Sequence, residues 1–343
     1  MNPPRIGFVT CVHPYYDLPA VTRYRDAAVA GLEAEGCQIV QARIPETAQD
    51  AIEIAAQLSN SQVDLVALFF CTWVAEDVTL ALTREIGDLP LLLWGLPCLD
   101  RDLPMPSPLS GLTASASNIR RLGRPFAYLV GPVDSERMRA VIRAARVGAV
   151  IRRLRRARFG LVGAPCPGML DVGCDEAELA PALRLTAVHL ELDALLKAAE
   201  QASWDDALRL ARDLIARVGA IEGVTEEEVA ENLRLYLGMK ELVRQHQLDG
   251  CSIRCWPELR SQLPATACLT LACLSEDGLA SACERDFPAL VTTYVLRQLA
   301  GTPAFAFDLT AYLEEEGAIQ LAHCGAADLS LASDKSAAPQ CAN

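Results

Sequence analysis

Residues 63–73, "VDLVALFFCTW", contain an apolar run that is interrupted only by Asp64 and continues to Cys71. Short apolar runs without polar alternation are typical of strands that are buried on both faces. The first 165 residues hold further runs of this kind, and amphipathic stretches separate them. The runs are "RIGFVTCV" at 5–12, "CQIVQARI" at 37–44, "LPLLLWGLP" at 89–97 and "PFAYLVG" at 125–131.

The amphipathic stretches have helical spacing, and some of them end in glycine in the manner of a helix C-cap. Strands that alternate with helices predict a parallel sheet with helices on both faces. We therefore predict a doubly wound, Rossmann- or flavodoxin-like α/β domain over residues 1–160. Ligands of such domains bind beyond the carboxyl ends of the strands, which here carry His13, Trp73 and Gly95.

A further strand pattern, "RFGLVGAPC" at 158–166, leads into a second α/β domain, predicted over residues 161–332. The segment 175–200 has helical spacing throughout. Thr225 stands three residues before Glu228, which is the signature of a capping box and predicts the start of a helix. Residues 333–343 are small and polar without periodicity, and we predict a disordered tail there.

The net charge is −13, and apolar residues make up 51% of the chain. Such a chain can bury a large core, and its acidity argues against general nucleic-acid binding, which depends on neutralising phosphates. Residues 137–158 are the exception, with nine arginines. We interpret them as a solvated helix face that could meet an acidic partner subunit; an RNA or phosphate patch is the alternative.

The cysteine pattern indicates a reducing compartment. Thirteen cysteines are present, none in a C-x-x-C pair, and several lie within apolar runs. The N-terminus lacks the basic and apolar regions of a signal peptide. No apolar run approaches the roughly 20 residues of a membrane span. We therefore expect a cytoplasmic protein that does not bind membranes.

Two acids in the second domain, Glu284 in "SACERDFPAL" and Asp308, are 24 residues apart at the ends of apolar stretches, and His323 follows Asp308 by 15 residues. Carboxylates with an imidazole suit Mn²⁺ or Mg²⁺ better than zinc, and paired carboxylates also suit proton transfer. An ordinary salt-bridged or capping acid is the alternative interpretation. We interpret His189 and His246, which lie within helical patterns, as structural.

A resemblance to a known family covers most of the chain. The segments that carry it are "GCSIRCWPEL" at 250–259, "ACLTLACLSEDGLASACERDFPALVTTYVLRQLAGTPAFAFDLT" at 267–310, "LAHCG" at 321–325, "VDLVALFFCTWVAEDV" at 63–78 and "SPLSGLTASASNIRRLG" at 107–123. Together they resemble the L-fucose isomerase / L-arabinose isomerase superfamily, and in particular its shorter L-fucose isomerase-like proteins. The spacing between the two acids is the most specific part of the resemblance.

This resemblance implies a ketol isomerase that uses Mn²⁺, with Mg²⁺ or Co²⁺ as substitutes. It assigns Glu284 and Asp308 as metal ligands and as the acid/base pair that moves protons through a cis-enediol; a hydride shift is the rival route. Trp73 then corresponds to an aromatic that a neighbouring subunit contributes to the sugar pocket, in a homo-trimer or homo-hexamer. We further predict substrate contacts by Trp256 and His323.

The chain also departs from the family. His13-Pro14 replaces an Arg-Pro that contacts substrate, so we predict a His13 contact to a different sugar, and Arg23 and Arg25 nearby suit one with an anionic group. A deoxyhexose, a pentose and a sulfonated hexose such as sulfoquinovose all stay open.

Family members continue into a C-terminal β-rich domain that supplies a third metal ligand, a histidine, and we expect this chain to lack that domain. The alternatives to an active isomerase are a catalytically incomplete fragment and a sugar-binding or regulatory module of the same fold. Nucleotide binding is disfavoured because no glycine-rich phosphate loop follows the first strand.

Overall fold

The computed structural model describes residues 3–16, 19–97, 107–218, 223–257, 259, 267–323 and 326–331. The chain divides into two compact units, Met1–Arg153 and Leu154–Asn343. Residue 160, near which the sequence analysis places the domain boundary, lies a few residues after this division. The predicted tail at 333–343 lies outside the described residues.

The first unit alternates strands with helices along the chain. Its strands are β1 (Arg5–Cys11), β2 (Gln38–Gln41), β3 (Leu65–Phe70), β4 (Leu91–Gly95) and β5 (Ala127–Val130). Its helices are α1 (Pro19–Ala34), α2 (Ala48–Asn60), α3 (Glu76–Glu85), α4 (Pro108–Arg121) and α5 (Ser135–Leu154).

These strands form one parallel sheet in the order β2-β1-β3-β4-β5. This is the doubly wound, flavodoxin-like order, so the predicted fold class of the first domain is confirmed. β3 is central and buried along its whole length. Val66, Leu68 and Phe70 pack with apolar residues of α2, α3 and α4. Their neighbours along β3 pack with residues of α1 and α5, which explains the unbroken apolar run.

The second unit is also a mixture of strands and helices. Its strands are β6 (Arg158–Val162), β7 (Thr186–Leu190), β8 (Gly250–Ile253), β9 (Ala280–Cys283), β10 (Asp308–Leu313) and β11 (Ala318–Ala322). Its helices are α6 (Glu176–Leu183), α7 (Leu192–Gln201), α8 (Trp204–Val218), α9 (Glu226–His246), α10 (Ala267–Glu276) and α11 (Phe287–Ala300).

Four of these strands form a parallel sheet in the order β7-β6-β8-β9, which confirms a second α/β domain. The prediction of a continuous helix over 175–200 is wrong, because β7 lies between α6 and α7. Its sequence, "TAVHL", is compatible with either state. Pairing with β6 along its whole length supplies main-chain hydrogen bonds that local helical spacing does not foresee.

Helix α9 begins with the predicted capping box. Thr225 Oγ1 accepts from the Glu228 N–H at 3.2 Å, and Glu228 Oε2 accepts from the Thr225 N–H at 2.8 Å. The reciprocal bonds satisfy two donors at the helix start that would otherwise lack partners. The sequence prediction for this helix start is confirmed.

Strands β10 and β11 form an antiparallel hairpin in which nearly every residue is exposed. Large apolar side chains are exposed along both strands, among them Leu309, Tyr312 and Ile319. Exposed apolar surface of this kind is typical of an interface. Within the described part of the chain, no helix combines the length and apolar character that a membrane crossing needs.

Gly238 makes the close packing of α9 on α7 possible. A Cβ at this position would lie 2.5 Å from the Ala199 nitrogen and 2.8 Å from the Ala198 carbonyl carbon, and main-chain atoms cannot rotate away. We expect Gly238→Ala to lower the free energy of unfolding by about 1–3 kcal/mol, as overpacked cores do. Urea denaturation measures this.

Gly173→Ala is the matched control for Gly238→Ala, because a Cβ there meets only the Leu170 oxygen at 3.9 Å. Equal stability of the two variants would contradict the tight contact between α7 and α9.

Candidate active site

The first candidate site lies where β1 and β3 end side by side. The chain connections run in opposite directions from these two strands, and doubly wound sheets bind ligands at such a point. His13 follows β1 and Trp73 follows β3, and their ring centroids are 4.9 Å apart with the planes at 33°. Two predicted substrate contacts of this unit are thus neighbours.

Main-chain hydrogen bonds orient the His13 ring. The main-chain N–H of His13 donates to Thr72 Oγ1 at 3.0 Å, and the ring Nδ1 of His13 accepts from the main-chain N–H of Tyr15 at 3.2 Å. A neutral ring that accepts at Nδ1 carries its proton on Nε2. Nε2 can therefore donate to a ligand oxygen, while the exposed face of Trp73 suits the apolar face of a sugar ring.

The second candidate site lies at the carboxyl ends of β6, β8 and β9 in the other unit. Glu284 directly follows β9, and both Glu284 (φ 61°) and Arg285 (φ 58°) adopt the left-handed conformation. Such residues cost roughly 1 kcal/mol or more each and concentrate at functional sites. The Arg285 N–H donates to the Ile253 oxygen at 3.3 Å and the Asp286 N–H to the Cys283 oxygen at 2.9 Å, which hold this turn.

The segments after β6 and β8 meet beside Glu284. Cys166 Sγ donates to the Trp256 carbonyl oxygen at 3.3 Å, and Arg254 Nε approaches the same oxygen at 3.4 Å. Burial raises the pKa of the Cys166 thiol, and the nearby Cys255 and Glu284 raise it further. Trp256, a predicted substrate contact, is 46% exposed, so its ring is available to a ligand.

Asp308 and His323 are brought together by the hairpin, because Asp308 pairs with Ala322 and His323 follows directly. The His323 ring lies 6.0 Å from the Phe305 ring, between centroids. Both residues affect the pKa of Asp286. Burial raises the pKa of Asp286, Asp171 and Asp308 raise it further, and His323 opposes the shift. Asp286, two residues after Glu284, therefore lies within electrostatic reach of Asp308 and His323, and we call Glu284, Asp286, Asp308 and His323 the acidic region.

Arg285, His189 and Glu176 form a chain of polar contacts next to Glu284 that the sequence did not predict. Arg285 is 9% exposed, and one of its terminal nitrogens lies 2.9 Å from His189 Nδ1. His189 Nε2 in turn lies 2.9 Å from a carboxylate oxygen of Glu176. Arg285 Nε is buried, and it has no hydrogen-bond partner among the described residues. The sequence interpretation placed His189 in a helix, whereas it lies in β7 and contacts the residue after Glu284.

One signal in the sequence could have indicated Arg254 and Cys255, the residues that follow β8. Arg254 and Cys255 directly follow an apolar run, as His13 and Trp73 do, so the rule about carboxyl ends of strands applies to them too. Nothing local connects His189 with Arg285, because 96 positions separate them.

The predicted metal site is incomplete among the described residues. They contain no group of three or more His, Cys, Asp or Glu side chains placed to hold a metal ion. Glu284 and Asp308 can each offer carboxylate oxygens, which are ligands that Mn²⁺ and Mg²⁺ accept. A complete coordination sphere would need further ligands from outside the described residues.

Curated relatives share similarity with nearly the whole chain. A sulfoquinovose isomerase from Priestia aryabhattai is 25% identical over 334 residues, which cover 94% of this chain and 73% of the relative. One from Alkalicoccus urumqiensis is 26% identical and covers 85% of this chain and 66% of the relative. One from Clostridium sp. (strain MSTE9) is 28% identical and covers 73% and 57%. This similarity supports an aldose–ketose isomerase.

The other comparisons add less. No protein-family model matches the chain. A periplasmic solute-binding protein from Actinobacillus succinogenes with bound D-allose aligns with 88% of this chain and 93% of its own, at 11% identity and a TM-score of 0.24. A solute-binding protein from Agrobacterium vitis bound with α-D-tagatopyranose covers 88% and 90%, at 14% identity and a TM-score of 0.23. TM-scores of this size carry no argument about fold or function.

Proposed function

We propose that this protein interconverts an aldose and a ketose, and that its substrate is a sulfonated hexose of the sulfoquinovose type. The observation that carries the proposal is the similarity to sulfoquinovose isomerases over 94% of the chain. The acidic region around Glu284, Asp286 and Asp308 supports it, since ketol isomerisation needs groups that accept and return protons. We also propose membership of the L-fucose isomerase / L-arabinose isomerase superfamily.

Glu284 and Asp308 are the acid/base pair in this proposal. In an open-chain aldose, one carboxylate removes the proton at C2, and the electron pair forms the C1=C2 bond of a cis-enediol. The same proton then returns at C1, while the second acid helps move a proton between O1 and O2. The turn held by Arg285 and Asp286 keeps Glu284 in one position, and precise placement is what such transfers require.

We also propose that Glu284 and Asp308 are ligands of a divalent metal ion, and Mn²⁺ is the first candidate. When bound, such an ion polarises the sugar carbonyl and makes the C2 proton more acidic. Because the described residues hold no three-ligand group, this part of the proposal requires ligands from outside them.

Binding of the sugar is proposed to use aromatic and imidazole groups. Trp256 and His323 border the acidic region in the second unit, and His13 and Trp73 form a pair at the end of β1 and β3 in the first. We propose that Trp73 serves the pocket of a neighbouring subunit in a homo-trimer or homo-hexamer. The exposed apolar hairpin β10–β11 supports oligomerisation, and light scattering with size exclusion tests it. Cytoplasmic location stays a prediction.

The proposed function is tested by combining a binding and a turnover measurement. Mn²⁺ binding is followed by electron paramagnetic resonance for the protein and for Glu284→Ala. Ketose formation from sulfoquinovose, glucose and L-fucose is followed by NMR with and without Mn²⁺. We expect binding that the variant loses and turnover of the sulfonated sugar. Absence of turnover with all three sugars, in a folded protein, would contradict the proposal.

His13→Ala is expected to raise KM for the sugar about tenfold with little change in kcat, because His13 is proposed to bind substrate rather than react. Steady-state kinetics measures the two constants separately. Tyr128→Ala is a control, since Tyr128 is an exposed aromatic of β5 outside the proposed pocket. A large drop in kcat with unchanged KM would contradict a binding role for His13.

A further inference from the structure

Two thiols lie in direct contact beside the proposed catalytic carboxylate. Cys255 Sγ and Cys283 Sγ are 3.1 Å apart. Cys283 is the last residue of β9, and Cys255 lies two residues beyond β8, which pairs with β9 in parallel. A disulfide has its sulfurs about 2.05 Å apart, so the two atoms need to approach by only about 1 Å to bond.

The surroundings distinguish this pair from Cys251 and Cys174 of the same unit. Cys255 is partly exposed, whereas Cys283 is 5% exposed. Cys251 is fully buried, and burial raises the pKa of its thiol to about 12, which makes it a poor nucleophile. Cys174 is exposed, and within the described part of the chain it makes no contact with another sulfur. Of the two paired thiols, an oxidant in solution would therefore reach Cys255 before Cys283.

We propose that Cys255 and Cys283 are a redox-sensitive pair that hydrogen peroxide converts into an intramolecular disulfide. The Cys255 sulfur attacks the peroxide oxygen, the O–O bond breaks, and one water leaves with a sulfenic acid formed on Cys255. The Cys283 sulfur then attacks the sulfenic sulfur, and the hydroxyl departs with the thiol proton as a second water. One peroxide is reduced to two waters while two thiols lose two electrons and two protons.

The disulfide would act on the proposed active site, and this consequence rests on the proposed function. Trp256 directly follows Cys255, and Glu284 directly follows Cys283. The turn after β9 is already in a left-handed conformation at Glu284 and Arg285. We expect the new bond to draw the segments after β8 and β9 together and so to displace the Glu284 carboxylate. A thiol reductant restores it.

The first test does not depend on enzyme activity. Reduced protein is treated with one equivalent of hydrogen peroxide, remaining thiols are blocked with N-ethylmaleimide, and peptides are examined by mass spectrometry without reduction. We expect a cross-linked peptide pair joining Cys255 to Cys283 that dithiothreitol abolishes. Cys255→Ser and Cys283→Ser should each lose it, and Cys174→Ser should keep it.

Three outcomes would overturn the proposal: no modification at either cysteine, sulfinic or sulfonic acid at Cys255 without a cross-link, or a cross-link of Cys255 to Cys166. If Cys283→Ser does not fold, Cys255→Ser still tests whether the cross-link needs Cys255. This variant should fold, because residue 255 is partly exposed and serine differs from cysteine by one atom.

A second test addresses control of turnover. We expect peroxide to remove most isomerase activity of the protein and of Cys174→Ser, dithiothreitol to restore it, and Cys255→Ser to resist peroxide. Unchanged turnover in fully cross-linked protein would overturn the control of the site. If the cross-link forms in protein that has no activity towards any sugar, the proposed function is contradicted but the inference about the thiol pair stands. The two failures are therefore distinguishable.

Discussion

Replacing Glu284 by glutamine is expected to lower kcat for ketose formation by about a thousandfold, because an amide can neither take up nor return the proton at carbon. Glutamine has nearly the shape of glutamate, so the left-handed turn between β9 and α11 should persist. KM should change far less than kcat, since the loss falls on the transition state. NMR of the sugar before and after incubation measures the rate, and circular dichroism verifies folding.

Glu315→Gln is the matched control for Glu284→Gln, because it removes the same charge from an exposed position in the turn between β10 and β11. Its kcat should equal that of the unaltered protein. Asp308→Asn should resemble Glu284→Gln if the two acids work as a pair. A Glu284→Gln variant with undiminished kcat would remove Glu284 from the mechanism, and the acid Asp286 would be the next candidate.

Phe159→Ala is expected to lower the free energy of unfolding by about 3–5 kcal/mol, as removal of a buried aromatic side chain does. Phe159 lies in β6, is fully buried, and its ring centroid is 6.1 Å from that of Phe287 and 5.2 Å from that of Tyr294. The loss is a large part of the roughly 5–15 kcal/mol that stabilises a domain. Hydrogen exchange of peptides from β6 and α11 measures it locally.

Phe159→Leu is the companion variant, because leucine refills much of the space and should cost clearly less than alanine. If both variants cost the same, packing of the ring against α11 is not what stabilises this core. The same variants also bear on function, because α11 begins at Phe287, three residues after Glu284. Loosening the helix should lower turnover in proportion to the population of opened protein.

The acidic region shows both the reach and the limit of sequence reasoning. Glu284 and Asp308 could be selected from residue type, spacing and a family resemblance, and His323 from its place after an apolar run. Their relation to Asp286 could not, because it depends on the hairpin that pairs Asp308 with Ala322 and returns His323 to the same end. The left-handed turn at Glu284 also has no local signature, since glycine, the usual residue there, is absent.

The sequence by itself determined the two α/β units, since an apolar run between amphipathic stretches has few other ways to bury its side chains. It also determined the capped start of α9, which depends only on residues three positions apart. Tertiary structure alone decided the strand order, the conversion of 186–190 into β7, the contact of His189 with Arg285, and the meeting of Cys255 with Cys283. These features depend on main-chain pairing between segments distant in sequence, and the energy of such pairing is not encoded in any local window.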